Sequence, residues 1–594
     1  MKKQMIMGNQ AIALGALKAG VNLVAGYPGT PSSEIIEFIA KYKEQTGTYV
    51  EWSVNEKAAV EVAAGASYAG SRTLVTMKQV GLNVASDPVM CLSYVGIKGG
   101  MVIVSADDPG PISSQTEQDT RKFGSFSKIP VFDPSSPKEA FEMIQEAFDL
   151  SEKYNTPIIL RPTTRVDHAY ESMEFPELKK ARENGSFEKD TQRWVIFPKT
   201  SFNNHKRIFQ RNENILPKEF SKSKWNFIEN KKESPIAFAT GGISYCYLRE
   251  AMELLGVSSI PILKIGTPYP FPFELAEEFL TQNKKILVFE ELDPVIEENL
   301  FLTAGKKGIE CNISGKFNGC VPEAGELSVE IIKSILKKLF KEEKFNFSNK
   351  EAEEKIKEED TPLKIEKELP IRPPVLCAGC PHRGAFYAVK EAMKGEKTVY
   401  CGDIGCYTLG NAKPLDMCDT CLCMGAGVNI TQGIGKIEPD TKCFAFVGDS
   451  TFFASAITGV VNAVYNQADM TLVVLDNSTT AMTGHQPHPG TGRTVMGQIV
   501  DKVSIEEVLK GVGLKTVEVC DPMKLSEAVE TVKRVSAEKG VKAIIFRSPC
   551  AVLIKPDAPA YIDENKCIQC RQCINRLGCP GIVIRDGRVA IDSS

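Results

Sequence analysis

Two short stretches, far from the amino end, place oxygen donors at the ends of apolar runs. Gly448-Asp449-Ser450 closes the run CFAFVG (residues 443–448), and Asp476-Asn477 closes the run TLVVL (residues 471–475). Both runs are short and rich in β-branched and aromatic residues, as buried strands are. The segment between them, FFASAITGVVNAVYN, has helical apolar spacing. The whole therefore reads as strand–helix–strand with parallel strands. That geometry brings an aspartate and an asparagine to one edge of a sheet. Carboxylate and amide oxygens there suit a Mg²⁺ that keeps its other ligands for phosphates. The plainer reading is a buried turn aspartate and an asparagine cap.

Near the amino end, Glu56 opens an Ala-rich helical segment that follows the strand-like run TYVEWSV. A first-turn acid usually serves the helix dipole. Here the spacing Glu56-x-x-Ala59-x-x-x-Ala63-x-Gly65 resembles the pyrimidine-domain helix of thiamine diphosphate enzymes. The strand–GDS–helix–strand–DN pattern resembles their diphosphate motif. The resemblance implies that Glu56 hydrogen-bonds N1′ of the aminopyrimidine. The cofactor then does the carbanion chemistry, while the protein supplies placement and one buried acid.

The cysteines are a second source of chemistry. Cys567, Cys570 and Cys573 follow one another at x₂ spacing, and Cys579-Pro580 comes after them. Three thiolates so spaced wrap one face of a cubane, whereas zinc prefers paired knuckles, so a [4Fe–4S] cluster is expected. Two-cluster ferredoxins carry a second such run, and this chain stops at Ser594, where that run would begin. Either Cys579 completes a single cluster or the site is truncated. A looser set comprises Cys377, Cys380, Cys406 and Cys550, which no regular spacing unites. Cys418, Cys421 and Cys423 could join Cys377 and Cys380 around zinc. The Met424-Gly425-Ala426-Gly427 turn that follows instead places this loop beside a diphosphate, through backbone N–H groups.

The 594 residues suggest about four domains. A content of 43% hydrophobic and 25% charged residues is that of an ordinary globular protein. The net charge of −4 gives no general attraction to nucleic acid or to a membrane surface. The start MKKQMIMGNQ has no apolar core of signal-peptide length, and no run approaches 18 apolar residues, so a cytoplasmic protein is expected. Eighteen cysteines in such a chain point to metal or clusters rather than disulfides.

Along the chain, strands alternate with helical stretches over 1–170, as in a parallel α/β domain. Residues 171–232 are polar and read as a connecting segment with little core of its own. A second α/β domain spans 233–340, and 341–370 is a mixed-charge linker. A third α/β domain covers 371–555, and 556–594 form a cysteine-rich tail.

Taken together, the chain resembles the 2-oxoacid:ferredoxin oxidoreductases over essentially its whole length. The segments that carry this are 26–34, Asn55-Glu56-Lys57, 113–119, Cys380-Pro381-His382-Arg383-Gly384, 475–487 (LDNSTTAMTGHQP) and the tail. The fold implied is α/β, with several doubly wound thiamine-diphosphate-enzyme-type domains and a small C-terminal ferredoxin-like iron–sulfur domain. On matching positions the resemblance makes Glu56 the activating acid and puts Thr30 beside the substrate carboxylate. Asp449, Asn477 and the Thr479 carbonyl become Mg²⁺ ligands, with Gly425, Gly448, Ser450, Met482 and Thr483 around the cofactor. Cys377, Cys380, Cys406 and Cys550 become the ligands of a cluster next to thiamine. A substrate arginine has no firm match; Arg121 is the nearest choice. His485 and His488 lie in a Pro/Gly-rich loop, where a histidine is more often solvated or capping; His485 is kept as a candidate donor to an anionic intermediate.

The implied reaction is oxidative decarboxylation of an aryl 2-oxoacid such as indolepyruvate, with coenzyme A and ferredoxin. It would give indoleacetyl-CoA, CO₂ and reduced ferredoxin, with a smaller beta subunit as partner in an (αβ)₂ assembly. The alternatives are a non-oxidative thiamine-dependent decarboxylase, against which the cysteine tail counts, and a non-catalytic electron-transfer subunit, against which intact Glu56, Asp449 and Asn477 count.

Overall fold

The structure is a computed structural model that describes residues 3–343, 355–356, 373–555 and 558–592. The charged linker expected at 341–370 falls almost wholly outside the described residues. The chain divides into two units, Met1–Lys364 and Ile365–Ser594.

In the first unit, β1 (Lys3–Met7) pairs antiparallel with β8 (Tyr170–Glu174), apart from the main sheet. That sheet contains β2 (Leu23–Gly26), β3 (Tyr49–Trp52), β4 (Thr73–Lys78), β5 (Met101–Ala106), β6 (Val131–Phe132) and β7 (Ile158–Leu160). Its order is β3-β2-β4-β5-β7-β6, and every pairing is parallel. The order reverses between β2 and β4, so loops leaving their carboxyl ends part to opposite sides and open a crevice.

A second sheet in this unit contains β9 (Phe227–Glu229), β10 (Ala237–Gly241), β11 (Ile262–Ile265), β12 (Lys285–Phe289) and β13 (Asn312–Ser314), in the order β13-β12-β10-β11-β9. Only β9, at the edge, runs antiparallel. Alternate strand residues feed two cores: Phe238, Ile262 and Phe289 pack on one face, Ala239, Leu263 and Val288 on the other. Period-two alternation buried on both sides is what a helix-covered parallel sheet requires.

The segment 171–232 is less uniform than its polar composition suggests. Ile208, Leu216, Phe220 and Trp225 are buried, and the amide of Asn226 accepts from the N–H groups of Gly266 and Thr267. These apolar residues are too widely spaced to show a period, yet each has a neighbour's core to enter. Residues 227–229 belong to the second sheet.

The loops of the two sheets in this unit meet through buried charge. Arg121, 2% exposed, pairs with Asp119 (2.7 Å) and Glu290 (2.8 Å) and donates to the carbonyls of Glu291 and Asp293. Asp119 also caps the helix Thr120–Ser127 and accepts from the Asp293 N–H. Burial would force these groups neutral if they stood alone. Asp119→Ala should therefore cost about 3–5 kcal/mol, because it leaves the buried guanidinium one carboxylate instead of two, takes the acceptor from the Asp293 N–H and removes a cap. Denaturant unfolding of the variant checks this; a loss under about 1 kcal/mol would mean the network contributes little.

The second unit is built on β14 (Thr398–Cys401), β15 (Lys442–Gly448), β16 (Met470–Asp476), β17 (Thr516–Cys520) and β18 (Val541–Arg547), all parallel, in the order β14-β15-β16-β18-β17. Phe444, Phe446 and Val473 enter one core, Ala445, Val447 and Val474 the other. The tail forms a hairpin, β19 (Ile582–Arg585) with β20 (Arg588–Ile591), preceded by the short helix Gln572–Asn575. Among the described residues no helix is long and apolar enough to cross a membrane.

Candidate functional site

Glu56 sits at the first position of the helix Glu56–Tyr68, behind Asn55, whose side chain accepts from the Ala58 N–H at 2.9 Å. The residue is 8% exposed. It lies over Gly81, where a Cβ would fall 2.5 Å from Glu56 Oε1. Only a glycine leaves that space to the acid. Burial pushes the Glu56 carboxyl up to about 7, opposed by a backbone N–H bond and by the charge of Lys78. An acid half-ionised near neutral pH is suited to sharing a proton with a heterocyclic nitrogen.

The Thr30 loop leaves β2 at the switch point. The Thr30 carbonyl accepts from Ser113 Oγ at 3.3 Å, and Ser113 in turn binds Asp108. Arg121 does not face a substrate from here. Its guanidinium is buried and taken up by Asp119, Glu290 and two carbonyls, which removes it as the expected carboxylate binder.

In the second unit, Gly448 ends β15 opposite Leu475 of β16, so the Asp449 and Asn477 turns leave adjacent strand ends. Asp449, Asn477 and Thr479 are all buried. Asp449 Oδ1 accepts from the Ser450 N–H and Oδ2 from the Ser478 N–H, 2.9 and 2.8 Å away. Desolvation raises the Asp449 pKa, with His488 acting against it. Asn477 Oδ1 accepts from the Thr479 N–H, while its Nδ2 lies 3.2 Å from His382 Nε2. Burial holds His382 down at about 4, so this ring is neutral and its nitrogen accepts. The helix after Asp449 starts with a π-turn, Phe452–Ala456, before continuing as Ile457–Tyr465. Such a bulge re-aims a helix start beside a site.

The remaining loop residues are distributed unevenly. Thr480 Oγ1 donates to Ser450 Oγ, Thr483 Oγ1 donates to Gln486, and Met482 is half exposed. His485 takes a left-handed φ of 66° and keeps a buried Nδ1 without a partner. His488 lies against Asp449, its Nε2 3.1 Å from Oδ2. Its Nδ1 accepts from the Gly490 N–H.

Gly425, expected to offer its N–H to a diphosphate, donates it instead to Asp403 Oδ1 at 2.8 Å. Its contribution is the left-handed turn, φ 81°, that starts the helix Ala426–Ile437. Asp403 was not singled out from the sequence. It is fully buried, pushed up to about 7 by that burial, and also accepts from Ile404 N–H and Tyr407 Oη. A signal existed: Cys401-Gly402-Asp403 ends β14 as Gly448-Asp449 ends β15. His382 was likewise missed, because its partner Asn477 is distant in sequence.

Cys377, Cys380, Cys406 and Cys550 lie within range of one another's charge. Burial pushes the Cys406 thiol up to about 11, with Cys380, Cys377 and Cys550 adding to it. Cys567, Cys570, Cys573 and Cys579 are free thiols at or near the surface. Among the described residues no three His, Cys, Asp or Glu side chains close into a ready cage. In donor chemistry, both thiol sets fit an iron–sulfur cluster, and the carboxylate and amide oxygens of Asp449 and Asn477 fit a hard divalent cation. Arg383 joins the two thiol-bearing loops: Nη1 donates to the Leu577 carbonyl at 2.9 Å, Nη2 to that of Leu376 at 2.8 Å. Cys579, Cys380 and Cys377 all act on its charge.

Two family models match this chain. Residues 14–220 match the thiamine diphosphate-binding domain of pyruvate flavodoxin/ferredoxin oxidoreductases, and 403–546 match the C-terminal TPP-binding domain of thiamine pyrophosphate enzymes. Parallel sheets with these two matches define the class as thiamine diphosphate-dependent 2-oxoacid oxidoreductases. Similarity to whole proteins narrows it. Indolepyruvate oxidoreductase subunit IorA of Pyrococcus abyssi is 40% identical, over 98% of this chain and 92% of that protein. The IorA subunit of Archaeoglobus fulgidus is 39% identical, over 100% of this chain and 94% of its own length. The 2-oxoglutarate synthase subunit KorA of the same organism matches 49% of this chain at 26% identity. The chain belongs to the family of indolepyruvate oxidoreductase subunit IorA.

Proposed function

We propose that this chain is the catalytic large subunit of an enzyme that oxidatively decarboxylates aryl 2-oxoacids, indolepyruvate in particular, to the aryl-acetyl-CoA. Coenzyme A takes the acyl group and ferredoxin takes the electrons. A smaller beta subunit completes the enzyme, as an (αβ)₂ assembly in the cytoplasm. The observation that carries the reading is Glu56, a buried acid at a helix start whose pKa of about 7 equips it to share a proton at neutral pH.

When bound, thiamine diphosphate supplies the carbanion that makes a 2-oxoacid lose CO₂. Glu56 would hold the aminopyrimidine end and share a proton at N1′. Asp449, Asn477 and the Thr479 carbonyl would hold Mg²⁺ and, through it, the diphosphate end. Gly448 and Ser450 shape that strand end, with Gly425, Met482 and Thr483 around it, and Thr30 faces the substrate. His485 is proposed as a donor to developing negative charge. Cys377, Cys380, Cys406 and Cys550 would hold one [4Fe–4S] cluster, and Cys567, Cys570, Cys573 and Cys579 another; such clusters pass one electron at a time.

The test is anaerobic co-expression with the partner subunit, then 2-oxoacid-dependent reduction of a viologen dye. CoA-dependent reduction with indolepyruvate is expected, with about eight Fe per large subunit, four per cluster. Aldehyde and CO₂ release with no dye reduction would replace the oxidative reading with the non-oxidative one.

A further inference from the structure

A 2-oxoacid enters as an anion, and its carboxylate needs a cation at the place where the chain holds the reacting carbon. The described cations at the carboxyl edge of the first sheet are few. Arg121 is buried and saturated, as above. Arg161 has its charge matched by Asp107 (2.6 Å) and Asp133 (3.1 Å), and its one unpartnered nitrogen, Nη2, is sealed from solvent. Arg165 is bound through both Nε and Nη2 to Glu326.

Lys78 differs from all three. It is the last residue of β4, beside β2 at the switch point, where ligands bind in sheets of this kind. Its Nζ makes one hydrogen bond, to the Ser113 carbonyl at 3.2 Å, and forms no ion pair among the described residues. An ammonium has three N–H donors, so two remain. Asp108, the nearest acid on the loop, is occupied by the Ser113 N–H and Thr164 Oγ1. The Lys78 stem lies along Gly29, where a Cβ would come within 3.1 Å of Cγ and Cδ. Glu56 and Asp108 both lie within reach of its charge. Lys78 thus shares one edge with Glu56 and with the Thr30 loop, a half-buried cation lacking a fixed counterion.

We infer that Lys78 is the cation that receives the substrate carboxylate, with the Thr30 loop beside it. This rests on the 2-oxoacid reading given above. A substrate carboxylate there would be the missing counterion, and it would fix the keto carbon relative to Glu56.

The test compares Lys78→Met, which keeps the stem, and Lys78→Arg, which keeps the charge, each in the complex with the partner subunit. Isothermal titration uses indole-3-propionate, an unreactive carboxylate, and its uncharged amide. Lys78→Met should weaken propionate binding, and raise the 2-oxoacid KM, by about 10–100-fold. Amide binding and thiamine diphosphate affinity should not change, and Lys78→Arg should restore part of the loss. Equal propionate affinity in wild type and Lys78→Met, while wild type turns over the 2-oxoacid, overturns the role of Lys78 alone. A wild-type complex that reduces no dye with any 2-oxoacid overturns both this and the reading beneath it.

Discussion

Glu56→Gln should lower kcat for 2-oxoacid-dependent dye reduction by about 10²–10⁴-fold, while making the cofactor-free chain more stable at pH 8. The two effects share one cause. The carboxyl is buried over Gly81, and its folded pKa of about 7 stands above the ordinary 4.5. A carboxyl with a raised folded pKa stabilises the fold most when protonated in both states, below the unfolded value. That contribution is lost as pH rises from 4.5 to about 7, and at pH 8 burying the ionised form costs about 3 kcal/mol. Glutamine keeps the shape and removes the charge. The melting transition of the apo variant should therefore exceed that of wild type at pH 8, with the gap closing toward pH 4.5. Unchanged turnover would end the assignment of Glu56 as the activating acid. A gap independent of pH would show that burial does not set its pKa.

The second large effect is expected at Asp449. Asp449→Asn leaves one oxygen, which can still accept from the Ser478 N–H while its NH₂ gives up the Ser450 bond, and it removes the negative charge that a hard cation needs. Mg²⁺-dependent thiamine diphosphate affinity should fall by about 100-fold or more, read by titration of the apo complex with cofactor at fixed Mg²⁺. Asp449→Ala should lose as much cofactor affinity and also loosen the 477–480 turn, which hydrogen exchange at Ser478 reports. Retention of wild-type affinity by the asparagine variant would place the metal elsewhere.

What the sequence made legible was what local order encodes. Asp449 and Asn477 end neighbouring apolar strands joined by one helix, so a period-two run and a period-3.6 run suffice to put them on one edge. Glu56 was legible for a similar reason, as an acid opening an Ala-rich helix. The groups that escaped depend on partners remote in the chain. His382 matters through Asn477, Asp403 through Gly425, and Lys78 through a strand order, β3-β2-β4, that no local pattern specifies. Arg121 misled for the converse reason: its position near the substrate loop was readable, but its burial against Glu290 was not. Segment 171–232 read as having little core of its own because Phe220 and Trp225, both buried, enter cores that belong to other segments.

Arg383 fastens the loop of Leu376 to the loop of Leu577 by gripping main-chain oxygens. Side-chain drift at either leucine leaves such a clasp untouched. Whatever Cys377 and Cys579 bind, the gap between their loops is set by the span of one planar cation rather than by a swinging tether.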